Sequence, residues 1–106
     1  MRGDIWELRA PRDAQGHEQK GRRYAVEVQS DDLLLSTKLV APTSSSARPT
    51  SFRPETTIDG AKTLIMVEQT AVVDPEARLG GFAGRLDAAE LAAVDRALRV
   101  VLGLRH

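Results

Sequence analysis

The amphipathic segment near the end of the chain constrains the fold most, because a helix with one apolar face needs another element to cover it. Asp87, followed three residues later by Glu90, is typical of a capping box and predicts that the helix begins there. Gly103 predicts where the helix ends. Asp95 and Arg99 stand four residues apart and are expected to pair on the solvent-facing side. The apolar face consists of Leu91, Val94, Leu98, Val101 and Leu102.

The chain before this helix reads as a series of short strands separated by turn signals. The segments are 4–9, 24–29, 38–44, 51–58, 63–68, 70–73 and 81–85. Residues 63–68 are expected to be the most buried, because their apolar run is nearly unbroken. Asp59-Gly60 is the strongest tight-turn signal, and Pro42 and Pro54 predict edges or bulges in their strands. Short strands and one terminal helix predict a compact, barrel-like β domain with helical additions.

Length and composition narrow the class of protein. A chain of 106 residues is large enough for one core, and an apolar fraction of 42% decides against wholesale disorder. The absence of cysteine excludes a disulfide framework, a thiolate metal site and a cysteine nucleophile. No stretch approaches the roughly 18 apolar residues of a membrane span. We therefore expect a cytoplasmic protein that does not contact a membrane.

The charge balance is neutral overall but uneven along the chain. A net charge of zero lacks the basic excess by which many nucleic-acid binders are recognised. Residues 9–23, however, hold five basic side chains against two acidic ones, and residues 38–53 add three more basic side chains with no acid. This distribution indicates that one face of a neutral protein is basic.

The polar loop 16–23 is a candidate binding or catalytic site. It contains two glycines and places Arg22 and Arg23 where a strand begins. Loops held by rigid strands often carry functional side chains, so this position suits a site. A solvated hairpin loop is the alternative interpretation of the same composition.

A series of short motifs follows in order along the chain. They are Arg2-Gly3-Asp4-Ile5-Trp6, Gly16-His17-Glu18-Gln19, Gly21-Arg22-Arg23, Val40-Ala41-Pro42-Thr43-Ser44, Val67-Glu68-Gln69, Val72-Val73-Asp74, Gly84-Arg85-Leu86, Val94-Asp95-Arg96-Ala97-Leu98 and Leu102-Gly103-Leu104. In this order the chain resembles the MazF/PemK-like toxins. The resemblance spans essentially the whole chain, so residues 1–106 are expected to form a single toxin domain.

The resemblance implies both a fold and a function. The implied fold is an SH3-like small β-barrel of the PemK/CcdB type with a C-terminal helix, assembled as a homodimer. The implied function is that of a toxin endoribonuclease of a type II toxin-antitoxin system. Such toxins cut single-stranded RNA, usually mRNA, without a metal or other cofactor, and a cognate MazE-like antitoxin neutralises them.

Three residues match the catalytic positions of that family. Arg23 matches the catalytic arginine, and its planar guanidinium suits phosphate oxygens. Ser44 matches a hydroxyl residue at the end of the third strand, with Thr43 as the alternative, because neighbouring strand residues point to opposite faces. Glu18 matches an acidic loop residue that could orient Arg23 or accept a proton.

The resemblance also assigns residues to RNA binding. These are His17, Gln19, Lys20, Arg22, Thr43 and Gln69. For Gln69, a structural role at a strand end is an equal alternative. The two histidines, His17 and His106, are not expected to form a metal site.

Departures from the family pattern keep two alternative functions open. Tyr24 stands where the family usually has a proline, and Ala71 stands where an arginine is frequent. These changes favour a catalytically weak relative that binds RNA or an antitoxin. A gyrase-directed toxin of the same fold is the other alternative, although residues 103–106 do not match the Trp-Gly-Ile tail of such toxins. Glu27, where an apolar residue is usual, indicates an edge or interface position.

Overall fold

The computed structural model describes residues 1–11 and 22–104 of the protein. The strands are β1 (Asp4–Leu8), β2 (Tyr24–Glu27), β3 (Lys38–Ser44), β4 (Glu55–Ile58), β5 (Ala61–Ile65), β6 (Ala71–Val73) and β7 (Leu79–Arg85). The helices are a 3-10 helix (Val67–Gln69), α1 (Pro75–Arg78) and α2 (Ala88–Leu102). This content confirms the prediction of a mainly β protein with a C-terminal helix. No helix in the described ranges is long and apolar enough to cross a membrane.

The strands form one antiparallel sheet that divides at β3. The order along the sheet is β4-β5-β3-β2-β1-β7, and β6 also pairs with β3. The first half of β3, Lys38–Val40, pairs with β6, whereas Thr43 and Ser44 pair with β5. Because β3 changes its neighbour along its length, the sheet curls into a partly open barrel.

Pro42 lies where β3 changes from one neighbour to the other. Its position corrects the prediction of an edge or bulge, because β3 is a central strand with β2 on its opposite side. Pro42 cannot donate a hydrogen bond, but its carbonyl accepts one from the Met66 amide at 2.9 Å. Proline lacks an amide proton, but this position faces the gap between β6 and β5, so no hydrogen bond of either strand pair is lost.

Glu27 and the strand at 63–68 also differ from their predictions. Glu27 is 2% exposed on the central strand β2, where Trp6 donates to it at 3.2 Å and Lys38 lies 3.5 Å away. It is therefore a partnered buried carboxylate, and the edge prediction is wrong. Residues 63–67 are buried as predicted, but the strand ends at Ile65 and the 3-10 helix follows.

The core lies between the curled sheet and α2. Val94 and Ala97 of the helix are buried against strand residues such as Ile5, Val26 and Ile65. Leu91 and Leu98 are half-buried against the same cluster, so the first part of the predicted apolar face is correct. The last turn differs from the prediction, because Val101 and Leu102 are 36% and 63% exposed.

The helix α2 is fixed at both ends and along its side. Its first turn is the predicted capping box, with Asp87 accepting from the Glu90 amide at 2.7 Å and Glu90 accepting from the Asp87 amide at 2.9 Å. Gly103 ends it in the left-handed conformation at φ 70°. Asp95 pairs with Arg2 at 2.6 Å and not with Arg99, because the N-terminal segment brings a guanidinium beside the helix.

The short helix α1 was not predicted from the sequence. Asp74 accepts from the Glu76 amide at 3.0 Å, and Pro75 occupies the first turn. An aspartate cap followed by proline is a helix-start signal, so the sequence did contain the information.

The capping box gives a test of how α2 is held. Asp87→Ala removes the side-chain acceptor of the Glu90 amide, and we expect the free energy of unfolding to fall by about 0.5–2 kcal/mol. Asp87→Asn keeps an acceptor and should retain most of that stability. Urea unfolding followed by circular dichroism measures both variants; equal losses would show that the charge, and not the cap, is what matters.

Candidate active site

A polar pocket of about 430 Å³ opens where β2 begins, β3 ends and the β4–β5 hairpin turns. Its lining residues come from these three regions. They are Arg22, Arg23, Tyr24, Thr43, Ser44, Ser45, Ser46, Ile58, Asp59, Ala61 and Thr63. The pocket thus contains Arg23, Ser44, Arg22 and Thr43 from the predicted site.

The pairing register of β2 and β3 explains why Arg23 and Ser44 share this pocket. Ala25 lies opposite Pro42 in the antiparallel ladder. Continuing that register by two residues places Arg23 opposite Ser44. A hydrogen bond from the Thr43 hydroxyl to the Tyr24 carbonyl at 3.2 Å supports this continuation beyond the assigned strand. Two residues that are distant in sequence therefore become direct neighbours.

The backbone of Arg23 is held without the proline that the family usually places next to it. The Leu8 amide donates to the Arg23 carbonyl at 2.8 Å, which extends the β1–β2 pairing by one residue. The side chain is exposed and, within the described ranges, makes no hydrogen bond or ion pair. Arg22, in contrast, pairs with Glu7 at 3.3 Å. Among the described residues, Arg23 is therefore the pocket guanidinium that has no protein partner.

Ser44 and Thr43 differ in how accessible their hydroxyl groups are. Thr43 is 5% exposed, and its hydroxyl proton is used in the bond to the Tyr24 carbonyl. Ser44 is half-buried; its oxygen accepts from the Ser46 amide at 3.2 Å and lies 3.4 Å from the Ser46 hydroxyl. When the Ser46 hydroxyl is the donor in the second contact, the Ser44 proton is left to donate into the pocket.

Arg53 fastens the loop that follows Ser44. Its Nε and Nη2 atoms donate to the same Glu68 carboxylate oxygen, at 3.0 and 2.5 Å. Its Nη1 atom donates to the Arg48 carbonyl at 2.9 Å. One side chain thus ties the loop between β3 and β4 to itself and to the 3-10 helix. Since Ser45 and Ser46 line the pocket, this contact orders one of its walls.

Of the other predicted site residues, only Gln69 lies within the described ranges. Gln69 is exposed on the 3-10 helix and does not line the pocket. His17, Glu18, Gln19 and Lys20 lie outside the described residues, as does His106. In residues 1–11 and 22–104, no group of three or more His, Cys, Asp or Glu side chains could hold a metal ion.

Sequence reasoning missed several pocket residues. Ser45, Ser46 and Thr63 supply further hydroxyl groups, and Asp59 supplies a carboxylate. Asp59 was visible in the sequence only as half of a turn signal. Nothing in its local pattern shows that the turn lies beside the end of β3, because that proximity follows from the pairing of β5 with β3.

Comparison with known proteins identifies the relatives of this chain. A family model described as "PemK-like, MazF-like toxin of type II toxin-antitoxin system" matches residues 1–102. The chain belongs to this toxin family. This MazF-like toxin is also 36% identical over 104 residues, 98% of each chain, to a Mycobacterium tuberculosis protein named "Putative toxin Rv3098A". The chain is therefore the toxin of a toxin-antitoxin system.

Solved structures share the fold of this MazF-like toxin. The Mycobacterium tuberculosis toxin MazF-mt6 matches it with a TM-score of 0.77 at 15% identity, over 97% of this chain and 99% of that one. A mycobacterial structure described as "Endoribonuclease in complex with its cognate antitoxin" matches with a TM-score of 0.74 at 14% identity, over 100% and 97%. These similarities confirm the predicted MazF-type small barrel with a C-terminal helix.

The Arg53–Glu68 contact predicts how stability depends on pH. The hydrogen bonds from Arg53 hold the pKa of the Glu68 carboxyl below its ordinary value of 4.5. A lowered folded-state pKa means that Glu68 favours folding above that ordinary value, and that this contribution is lost as the pH falls through the folded-state pKa. Glu68→Gln should therefore reduce stability at pH 7 and weaken its decline in acid.

Chemical denaturation of both proteins between pH 3 and pH 7 measures this effect. Glu55→Gln is the matched control, because Glu55 forms an exposed pair with Lys62 at 3.1 Å. Exposed pairs contribute little to stability, so this variant should follow the wild-type curve. If Glu68→Gln also followed it, the loop would not depend on the Arg53–Glu68 contact.

Proposed function

We propose that this toxin is a metal-independent endoribonuclease that cleaves single-stranded RNA, with mRNA as its cellular substrate, and thereby stops translation and growth. The observation that carries the proposal is the shared pocket of Arg23 and Ser44, which the β2–β3 register brings together. The mycobacterial structure described as "Endoribonuclease in complex with its cognate antitoxin" has the same fold, which adds support to the proposed activity.

The proposed reaction uses the RNA's own 2′-hydroxyl as nucleophile. The 2′-oxygen loses its proton and bonds to the adjacent phosphorus while the bond from phosphorus to the 5′-oxygen breaks. The departing 5′-oxygen gains a proton, so the products are a 2′,3′-cyclic phosphate and a 5′-hydroxyl. The site must therefore accept one proton, supply another and stabilise the charge that develops on the phosphoryl oxygens.

The pocket residues suit the charge-stabilising part of this reaction. The planar Arg23 guanidinium can bind two phosphoryl oxygens at once. The Ser44 hydroxyl can donate to a third. The family resemblance implies that Glu18 either accepts the proton or orients Arg23. Glu18 lies outside the described residues, so this role is part of the proposal.

The same proposal extends to the partners. The place of Arg22 in the pocket supports its RNA-binding assignment. Thr43 also lines the pocket, but its hydroxyl is bonded to the Tyr24 carbonyl, so its assignment rests on the resemblance, as do those of His17, Gln19, Lys20 and Gln69. We also propose that the toxin forms a homodimer in the cytoplasm. A MazE-like antitoxin is expected to cover the basic segment 9–23 with an acidic segment, an attraction that salt would weaken.

Removing the Arg23 guanidinium gives the decisive test of catalysis. We expect Arg23→Ala to lower the cleavage rate of a long single-stranded RNA by about 10²–10³-fold, because the transition-state charge loses its main partner. Purified proteins are incubated with the RNA in EDTA, and the ends of the fragments are mapped. Wild type should give discrete cuts with 2′,3′-cyclic phosphate ends.

Arg96→Ala is the matched control, since Arg96 is exposed on α2 and does not line the pocket. This substitution removes the same charge from the protein, and the variant should cleave RNA as the wild type does. A folded wild-type protein that leaves RNA intact would contradict the proposal. Gyrase cleavage complexes in expressing cells would then support the gyrase-directed alternative.

The two neighbouring hydroxyl residues should separate chemistry from stability. Ser44→Ala removes the accessible donor and is expected to lower the cleavage rate about 10²-fold with little change in unfolding free energy. Thr43→Val removes the buried bond to the Tyr24 carbonyl, and should reduce stability by about 0.5–1.5 kcal/mol while cleavage persists. The reverse pattern would assign the catalytic hydroxyl to Thr43.

A further inference from the structure

Asp59 is the one carboxylate among the described residues that line the pocket, which otherwise presents guanidinium and hydroxyl groups. We propose that Asp59 is a specificity-determining residue that recognises the Watson–Crick edge of a guanine in the bound RNA. The inference rests on the proposed ribonuclease function and specifies one base of the RNA that the same site binds.

The hairpin between β4 and β5 presents this carboxylate rigidly. Ile58 pairs with Ala61, so Asp59 and Gly60 form a two-residue turn. Both have positive φ values, 52° and 77°, as the tight turns preferred by antiparallel hairpins require. The backbone position of Asp59 is therefore set by a short, fully paired hairpin and not by a long loop.

The Asp59 carboxylate forms no ion pair with the cations described around it. Within residues 1–11 and 22–104 it makes no hydrogen bond or ion pair, although two arginines line the same pocket. Lys62, the cation of its own hairpin, pairs with Glu55 at 3.1 Å. Arg22 pairs with Glu7 at 3.3 Å. No described residue therefore uses the acceptor capacity of the two Asp59 oxygens.

The chemistry of a carboxylate limits which part of an RNA it can contact. An ionised carboxylate only accepts hydrogen bonds and repels phosphate, so it must face N–H or O–H donors. Uracil offers one N–H between two carbonyl oxygens, and adenine and cytosine each offer an amino group beside an acceptor nitrogen. Guanine alone presents two adjacent donors, N1–H and the N2 amino group, which match both carboxylate oxygens.

The pocket also indicates which nucleotide is recognised. Asp59 shares its cavity of about 430 Å³ with Arg23 and Ser44, the proposed catalytic residues. The guanine is therefore expected at the cleaved bond or directly beside it. Single-stranded RNA suits this recognition, because its unstacked bases expose their Watson–Crick edges to side chains.

The test compares the cleavage motif of wild type with those of Asp59→Asn and Asp59→Gly. Both replacements tolerate the left-handed backbone, so the turn is kept while the carboxylate is removed. Cut sites are mapped on a long single-stranded RNA, and rates are then measured on short RNAs with guanine, inosine, adenine, cytosine or uracil at the selected position. Inosine keeps N1–H but lacks the N2 amino group.

We expect wild-type sites to share a guanine at one position next to the cut, and inosine there to slow cleavage. In both variants the preference for guanine should fall by roughly 5- to 150-fold, the range for losing one bidentate base contact. Glu55→Gln, on the same hairpin but outside the pocket, should keep the wild-type motif.

Three kinds of result would overturn the inference. A wild-type motif without guanine would show that Asp59 does not recognise this base. An Asp59→Asn motif identical to the wild-type motif would show that Asp59 recognises no base. An equal loss of rate at every site, with a changed acidic limb of the pH–rate profile, would make Asp59 a general base. A wild-type protein that cuts no RNA would overturn the proposed function itself, and is distinguishable because the other two results require cleavage.

Discussion

The register between β2 and β3 is the constraint on which the rest of the site depends. Antiparallel pairing of Ala25 with Pro42 aligns the beginning of one strand with the end of the next. A shift of one residue would turn the alternating side chains of β3 to the opposite face, and would exchange the places of Thr43 and Ser44. The core opposes such a shift, because Val26 and Ala41 face each other in this ladder and are fully buried.

Much of the fold follows from local sequence signals, and the site follows only in part. The capping box, the Gly103 stop and the Asp59-Gly60 turn depend on neighbours in sequence, so they could be predicted. Pairings over long distances could not. Periodicity does not reveal that Asp95 meets Arg2 across 93 residues, or that Glu27 is buried on a central strand among three partners.

Two arginines, Arg53 and Arg23, differ in the contacts that their side chains make. Arg53 is engaged through all three of its guanidinium nitrogens with groups of the protein itself, and it therefore shapes the loop beyond Ser44. Arg23, directly before β2, engages no described group with its side chain. Both residues are arginines in basic stretches, so composition cannot distinguish them. Only the tertiary structure shows that one side chain binds groups of the protein itself and that the other contacts no described group.

Glu90 has a consequence beyond the helix that it caps. One of its carboxylate oxygens closes the capping box, and the other accepts a hydrogen bond from Thr56 on β4. The first turn of α2 and the hairpin that carries Asp59 are thus joined through a single side chain. The residue that caps the helix therefore also holds the strand that leads to the rim of the pocket.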